Sequence, residues 1–257
     1  MIKNKEHFEK FISKLPKLRM DEVSFVSLSA RNKYLTPSER LEFGLGRTEM
    51  YSREIAYENT VESLELVLKK LSTVREWRKS KNGSDIPDKC LVTYMNLNPS
   101  HTVRAMGAFI QQMTQELFNY NENLVNGNEV KGNLDRFKNS RGVMNTQLQK
   151  SKSRKIFIDI DIDCTHEDIL NHAMQVLNNN LCEYFVIKSQ GGFHICIKRD
   201  TLKFNYIDGV INYCNKIIDN NDKYEGIVEN NKNGMVPVPG TLQAGKLVEF
   251  VYSNYSI

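Results

Sequence analysis

The chain has little with which to staple or anchor itself. Its five cysteines among 257 residues, Cys90, Cys164, Cys182, Cys196 and Cys214, form no C-x-x-C pair. That spacing excludes a zinc ribbon, and the odd count argues against a disulfide framework. They read as buried, reduced fillers. No segment approaches the ~18 uninterrupted apolar residues of a membrane span. The opening residues, Met1-Ile2-Lys3-Asn4-Lys5-Glu6, turn charged and helical at once, without the apolar core of a signal peptide. These absences predict a cytoplasmic protein that makes no membrane contact. What is present suits a folded chain: 40% hydrophobic residues and enough length for one large core or two small ones.

The formal net charge is only +4, but it is unevenly spread. Between Lys131 and Lys155 stand Lys131, Arg136, Lys138, Arg141, Lys150, Lys152, Arg154 and Lys155, opposed only by Asp135. A strip of this kind attracts phosphate backbones through counterion release, or else forms a solvated linker.

Before the strip, helical spacing predicts an amphipathic segment near 7–15 and a longer helix over 60–77, where Val61, Leu64, Val67, Leu68, Leu71 and Val74 recur. Thr36-Pro37-Ser38-Glu39 is a capping-box start with proline at the first helical position. Residues 23–28 and 91–97 have strand composition, 79–87 reads as a loop, and Ser100 is placed to cap a helix running to about Phe118. The polar, Asn- and Lys-rich stretch 119–154 reads as a partly helical connection between two modules. From residue 155 onward strand and helix signals alternate: strand 155–162, helix 165–177, strands 184–188 and 193–198, helix 204–218, and strands near 226–228 and 246–252. The expectation is an α+β protein in two modules, 1–130 and 155–257, joined by the basic segment 131–154.

Ile156-Phe157-Ile158-Asp159-Ile160-Asp161-Ile162-Asp163 is an apolar strand with acids at every second position. Period-two geometry points those carboxylates to one face, where they repel one another unless a hard divalent cation or solvent compensates. Asp163 is also placed to begin the following loop. After Tyr184-Phe185-Val186-Ile187-Lys188 the chain breaks into Ser189-Gln190-Gly191-Gly192 and resumes at Phe193-His194. Glycines there allow backbone N–H groups to approach an anion, with Lys188, Ser189 and His194 adding donors. A lone strand histidine is more often structural.

D-x-D on a strand, followed about thirty residues later by S-x-G-G-x-H between two strands, resembles motifs I and II of the archaeo-eukaryotic primase superfamily. Pro239-Gly240-Thr241 is similar to the P-G-T segment that follows motif III in many plasmid and phage members. The resemblance covers about residues 150–252. It implies an RRM-like mixed sheet in 155–257 carrying the catalytic acids, packed against a mostly helical α/β module. It further implies that Asp159 and Asp161 bind Mg²⁺ or Mn²⁺, and that Ser189, Gly191, Gly192 and His194, with Lys188 beside them, hold nucleotide phosphates. For the third acid Tyr224-Glu225 fits best, with Glu229 and Asp222 as rivals. Relatives often place an arginine just before the P-G-T segment; here stand Asn230, Asn231, Lys232 and Asn233, leaving that contact to Lys232 or Lys246. The implied activity is that of a small DNA primase or DNA polymerase, a nucleotidyltransferase acting on nucleoside triphosphates over a single-stranded DNA template, of phage or mobile-element type. No G-x-x-x-x-G-K-[ST] loop occurs, so a separate helicase is the expected partner.

Three other readings compete. A Toprim domain also uses D-x-D, but its glutamate strand comes first. A metal-dependent nuclease would use clustered acids, yet no base stands beside them in sequence. A non-catalytic single-stranded-DNA or replication-origin binding module would keep the fold and read DNA by charge and by aromatics such as Tyr94, Phe137 and Tyr206.

Overall fold

The computed structural model describes residues 2–46, 48–77, 85–202, 206–232 and 234–255. It is an α+β protein, and every strand pairing among the described residues is antiparallel. The sheet of the second half is therefore not the mixed one the sequence suggested. Two compact units emerge. The larger comprises Met1–Lys17, Ser24–Leu97 and Lys155–Ile257, and the smaller Leu18–Val23 and Asn98–Arg154. This partition cuts the chain differently from a split at residues 131–154.

In order, the elements of the first half are α1 (Lys5–Ile12), β1 (Glu22–Arg31), α2 (Pro37–Phe43), β2 (Thr48–Ala56), α3 (Val61–Trp77), β3 (Leu91–Asn96), β4 (Ser100–His101), α4 (Thr102–Val125), α5 (Lys131–Lys138) and α6 (Ser140–Lys150). Those of the second half are β5 (Phe157–Asp163), α7 (Glu167–Asn179), β6 (Tyr184–Lys188), β7 (Phe193–Lys198), α8 (Tyr206–Asp219), β8 (Ile227–Asn230), β9 (Met235–Pro237), β10 (Leu242–Gln243), β11 (Lys246–Leu247) and β12 (Glu249–Ser253).

In the larger unit one sheet runs β11-β10-β3-β1-β2, with β9 also paired to β3. Its β1 and β3 put Val26, Leu28, Leu91 and Met95 into a core shared with Phe8 and Phe11 of α1 and Leu64, Leu68 and Leu71 of α3. The opposite face of the same two strands carries Ser27, Ser29 and Tyr94, with Ser27 directly across from Tyr94. Strand β2 has no counterpart in the expected elements, because its polar residues and edge position hide the strand signal. The capping box of α2 forms as expected, and Gly44 ends that helix in the left-handed region at φ 57°.

The second sheet of this unit runs β12-β6-β7-β5-β8. The succession β5-α7-β6-β7-α8-β8 with strand order β8-β5-β7-β6 is a β-α-β-β-α-β unit, to which β12 adds an edge. Alternation sorts its residues. Ile160, Ile162, Val186, Ile195 and Ile197 pack under α7 and α8 against Ile169, Ala173, Leu177, Val210 and Cys214. Phe157, Phe185, Cys196 and Phe250 face the other way and join the core around Phe8 and Phe11. Phe185 meets Phe157 edge-on at 5.4 Å and stacks on Phe250 at 5.8 Å. Each such ring contributes about 1.5–3 kcal/mol by leaving water.

The smaller unit is built on α4, α5 and α6. The stretch read as a partly helical connection is thus mostly helical and belongs to a compact unit. Ser100 does not cap α4: it is buried in β4 opposite Val23, and His101 takes the cap position, its Nδ1 accepting the Arg104 N–H at 3.4 Å. The helix continues to Val125 rather than stopping near Phe118. A buried carboxylate, Glu22, closes the unit. It accepts from Arg154 Nε at 2.7 Å and Nη2 at 2.6 Å, from Ser153 Oγ at 2.7 Å and from the Arg19 N–H at 3.0 Å.

The expected loop at 79–87 falls largely outside the described residues, as does the expected helix start at Phe204; α8 is described from Tyr206. Among the described residues no helix is long and apolar enough to cross a membrane.

Candidate active site around Asp159, Asp161 and His194

Strand register assembles the site. Across β8, β5 and β7, Glu229 stands opposite Asp161, and Asp161 opposite His194, so the three side chains form one row on one sheet face. Asp163 belongs to β5 rather than to the loop after it, and lies on the same face.

Asp159 is buried and fully engaged. His194 Nδ1 lies 3.2 Å from its Oδ2 and 3.3 Å from its Oδ1, and Asn231 Nδ2 donates to Oδ2 at 2.6 Å. Asn231 also donates its backbone N–H to the Asp159 carbonyl at 2.9 Å. The other ring nitrogen of His194, Nε2, is 3.8 Å from Asp161 Oδ1. Burial disfavours charge on His194, but Asp159 and Asp161 outweigh it and hold the pKa up to about 9. The ring is therefore an imidazolium at neutral pH, with Nδ1 donating to Asp159.

Asp161 keeps a third of its side chain in solvent. Burial pushes its pKa above the usual carboxylate range; His194 pulls it back, while Asp159 and Asp163 add to the rise. Negative charge is thus in excess at the open end of the row.

The first sheet supplies groups that the sequence did not single out. Lys33, just after β1, reaches Asp163 Oδ1 with Nζ at 3.5 Å. Arg31 Nη1 donates to the Tyr94 hydroxyl at 2.7 Å, and both lie within electrostatic reach of Asp161. Gln243 Nε2 donates to the Tyr34 hydroxyl at 2.8 Å, and its Oε1 accepts the Gln190 N–H at 3.3 Å. Burial raises the pKa of Tyr34 and of Tyr94, so both stay as neutral phenols.

The turn 189–192 is held by its own hydrogen bonds. Ser189 N donates to the Gly192 carbonyl at 2.8 Å, and Gly191 N to Ser189 Oγ at 3.3 Å. With Gln190 N given to Gln243, the N–H groups of Ser189, Gln190 and Gly191 all have protein acceptors. Gly192 has φ 147°, and a Cβ there would fall 1.9 Å from the Ile162 carbonyl. Its role is to let the turn close over β5.

Several sequence-derived site residues lie elsewhere. Lys188 pairs across strands with Phe193, which puts it on the helix-covered face, away from the acids; its Nζ donates to Glu167 at 2.9 Å. Glu225 is exposed in the coil before β8, whereas Glu229 occupies the row. Lys246 is exposed on β11 and Lys232 follows β8, while Asn233 lies outside the described residues. The P-G-T segment serves the fold, because the Gly240 carbonyl accepts the Lys3 N–H at 2.7 Å and the Asn4 N–H at 3.1 Å and so seats the start of α1. The aromatics are engaged as well, Tyr206 through its hydroxyl with Asn180 and Phe137 edge-on to Tyr120 at 6.3 Å.

Among the described residues no group of three or more His, Cys, Asp or Glu is placed so that it could hold a metal ion by itself. Asp161, Asp163 and Glu229 are oxygen donors of the chemical kind that Mg²⁺ takes, an ion usually held by one or two carboxylates together with water and substrate phosphates. In comparisons with known proteins, no family model, curated protein or solved structure matches the chain.

Proposed function

We propose that the chain is a template-directed nucleotidyltransferase, a DNA primase or primer-extending DNA polymerase acting in replication beside a separate helicase. The observation that carries this reading is the row Glu229, Asp161, His194, with Asp163 and Lys33 at its open end: carboxylates in excess of the charge that balances them.

Asp161, Asp163 and Glu229 would hold Mg²⁺ or Mn²⁺. Such an ion, when bound, neutralises charge on the phosphate oxygens and lowers the pKa of an attacking hydroxyl. Asp159 accepts the Nδ1 proton of His194 and, braced by Asn231, fixes the ring so that Nε2 faces Asp161. Lys33 supplies positive charge where a triphosphate would enter, a part the sequence resemblance gave to Lys188, Lys232 or Lys246. Pre-set charges of this kind act on the transition state without reorganising.

A second reading, a non-catalytic single-stranded-DNA or replication-origin binding module, is favoured by one observation: Asp159 is already saturated by His194 and Asn231. One assay separates the two. Protein is incubated with single-stranded template, labelled ribo- or deoxyribonucleoside triphosphates and Mg²⁺ or Mn²⁺, with and without primer. The expected result is metal-dependent synthesis that drops about a hundredfold in Asp161→Ala, at least about tenfold in Glu229→Gln, and about twofold or less in Glu225→Gln. Template binding without product in every condition would make the chain a binding module.

A further inference from the structure

Helix α4 carries a long apolar face that no described residue of its own unit covers. From Val103 every seventh residue is apolar, through Ile110 and Leu117 to Leu124, and Met106 and Met113 fall between them at the three-four spacing of a helix–helix seam. Val103 is 67% exposed, Ile110 56% and Leu117 52%, and Phe118 and Val125 beside them are 64% and 87% exposed. A Cβ added at Gly107, on the same side, would meet open space, so another helix can approach closely there. The packing partners of α4 lie on its other side, where Glu116 is buried and bound by Arg136 and by Asn133 at 3.0 Å.

We infer that this face is a dimer interface, and that its occupant is α4 of a second copy of the chain, packed antiparallel. Three observations select that occupant. The seam is self-complementary, as a twofold interface requires. With roughly 100 Å² on each exposed apolar side chain, it presents on the order of 700 Å², close to the ~800 Å² per partner of a stable interface. The third observation is charge. Apart from buried Glu116, α4 holds only Arg104 and Glu122, both exposed. They stand 18 residues apart, five full turns, and so point the same way, beyond Phe118 on one side of the exposed apolar face. Antiparallel pairing sets Arg104 of each copy beside Glu122 of the other, twice over, whereas a parallel pair leaves all four unmatched. Arg104 spends one N–H on the Lys152 carbonyl and keeps the rest for this contact.

Sedimentation equilibrium of the full chain across a concentration series tests the inference. A mass twice the 29.7 kDa of the chain is expected at the upper concentrations. Ile110→Asp/Leu117→Asp should give a monomer with unchanged helical circular dichroism. Arg104→Glu should weaken dimerisation about tenfold, and Arg104→Glu/Glu122→Arg should restore it. A single-chain mass throughout, or a dimer indifferent to the two aspartates, would overturn the interface. Failure of the charge swap to restore association would overturn the antiparallel arrangement, and if the aspartate variant unfolds, the swap decides alone.

Discussion

Asp159 and Asp161 are two residues apart on one strand face, yet their surroundings assign them different work. Asp159 accepts from a charged His194 and from Asn231 and has almost no solvent. Removing it leaves a buried imidazolium without its nearer carboxylate. Asp161 is open, and its raised pKa marks a group whose ionised form is disfavoured where it stands. Urea unfolding should therefore separate them: Asp159→Ala loses about 3 kcal/mol, as expected when one partner of a buried pair is deleted, while Asp161→Ala changes stability by less than about 1 kcal/mol. Equal losses for the two variants would contradict the division. Period-two spacing in the sequence is enough to set both carboxylates on one face. It does not distinguish them, because the distinction comes from Asn231, more than seventy residues away, and from which strand His194 lies beside. Lys33 is illegible in the sequence for the same reason: it has no local signature and acquires a role only when the end of β1 comes beside Asp163.

At the scale of elements, what was legible followed local chemistry. The capping box at Thr36, the heptad-like run of α3 and the apolar strands β5, β6 and β7 all announce themselves within a few residues. Their face assignments follow from alternation as well, and that same alternation removes Lys188 from the site once Phe193 is seen to be its cross-strand neighbour. What stayed hidden depended on distant partners: among the described residues β2 pairs with β1 alone, at the sheet edge, and α5 and α6, read only as a partly helical connection, have polar sequences that fold against α4. The turn 189–192 shows how tightly such elements are set. Gly192→Ala would drive a Cβ into the Ile162 carbonyl at a φ that side chains avoid, whereas Gly209→Ala, at an exposed position of α8, meets nothing within 4 Å. The first should destabilise by at least about 2 kcal/mol, and the second should stabilise by about 0.5–1 kcal/mol, by thermal or urea unfolding. A tolerated Gly192→Ala would mean that the turn can open without disturbing β5.

Across the whole molecule, charge counted along the chain differs from charge free to act. The basic strip from Lys131 to Lys155 loses Arg136 to Glu116 and Arg154 to Glu22, so that Lys131, Lys138 and Lys150 are among the cations still exposed to a phosphate backbone. The pairing with Glu22 also sets a pH dependence for the stability of the protein. Burial opposes ionisation of Glu22, but the hydrogen bonds from Arg154, the Arg19 N–H and Ser153, together with the Arg154 charge, outweigh it and hold the pKa down at about 2, from 4.5. Because the folded value is the lower one, the unfolded chain binds this proton first as the solution is acidified. The stabilisation is then complete above about pH 4.5 and is lost as pH falls toward 2. A depression of this size corresponds to about 3 kcal/mol. Other carboxylates titrate in the same window, so the measurement is a difference between two proteins. Urea unfolding of wild type and Glu22→Gln at steps from pH 6 to pH 2.5 should show the wild type more stable by about 3 kcal/mol at the upper end, with the gap closing as acid is added. A gap that is constant with pH would mean that Glu22 acts in the pair by shape and hydrogen bonding, not by charge.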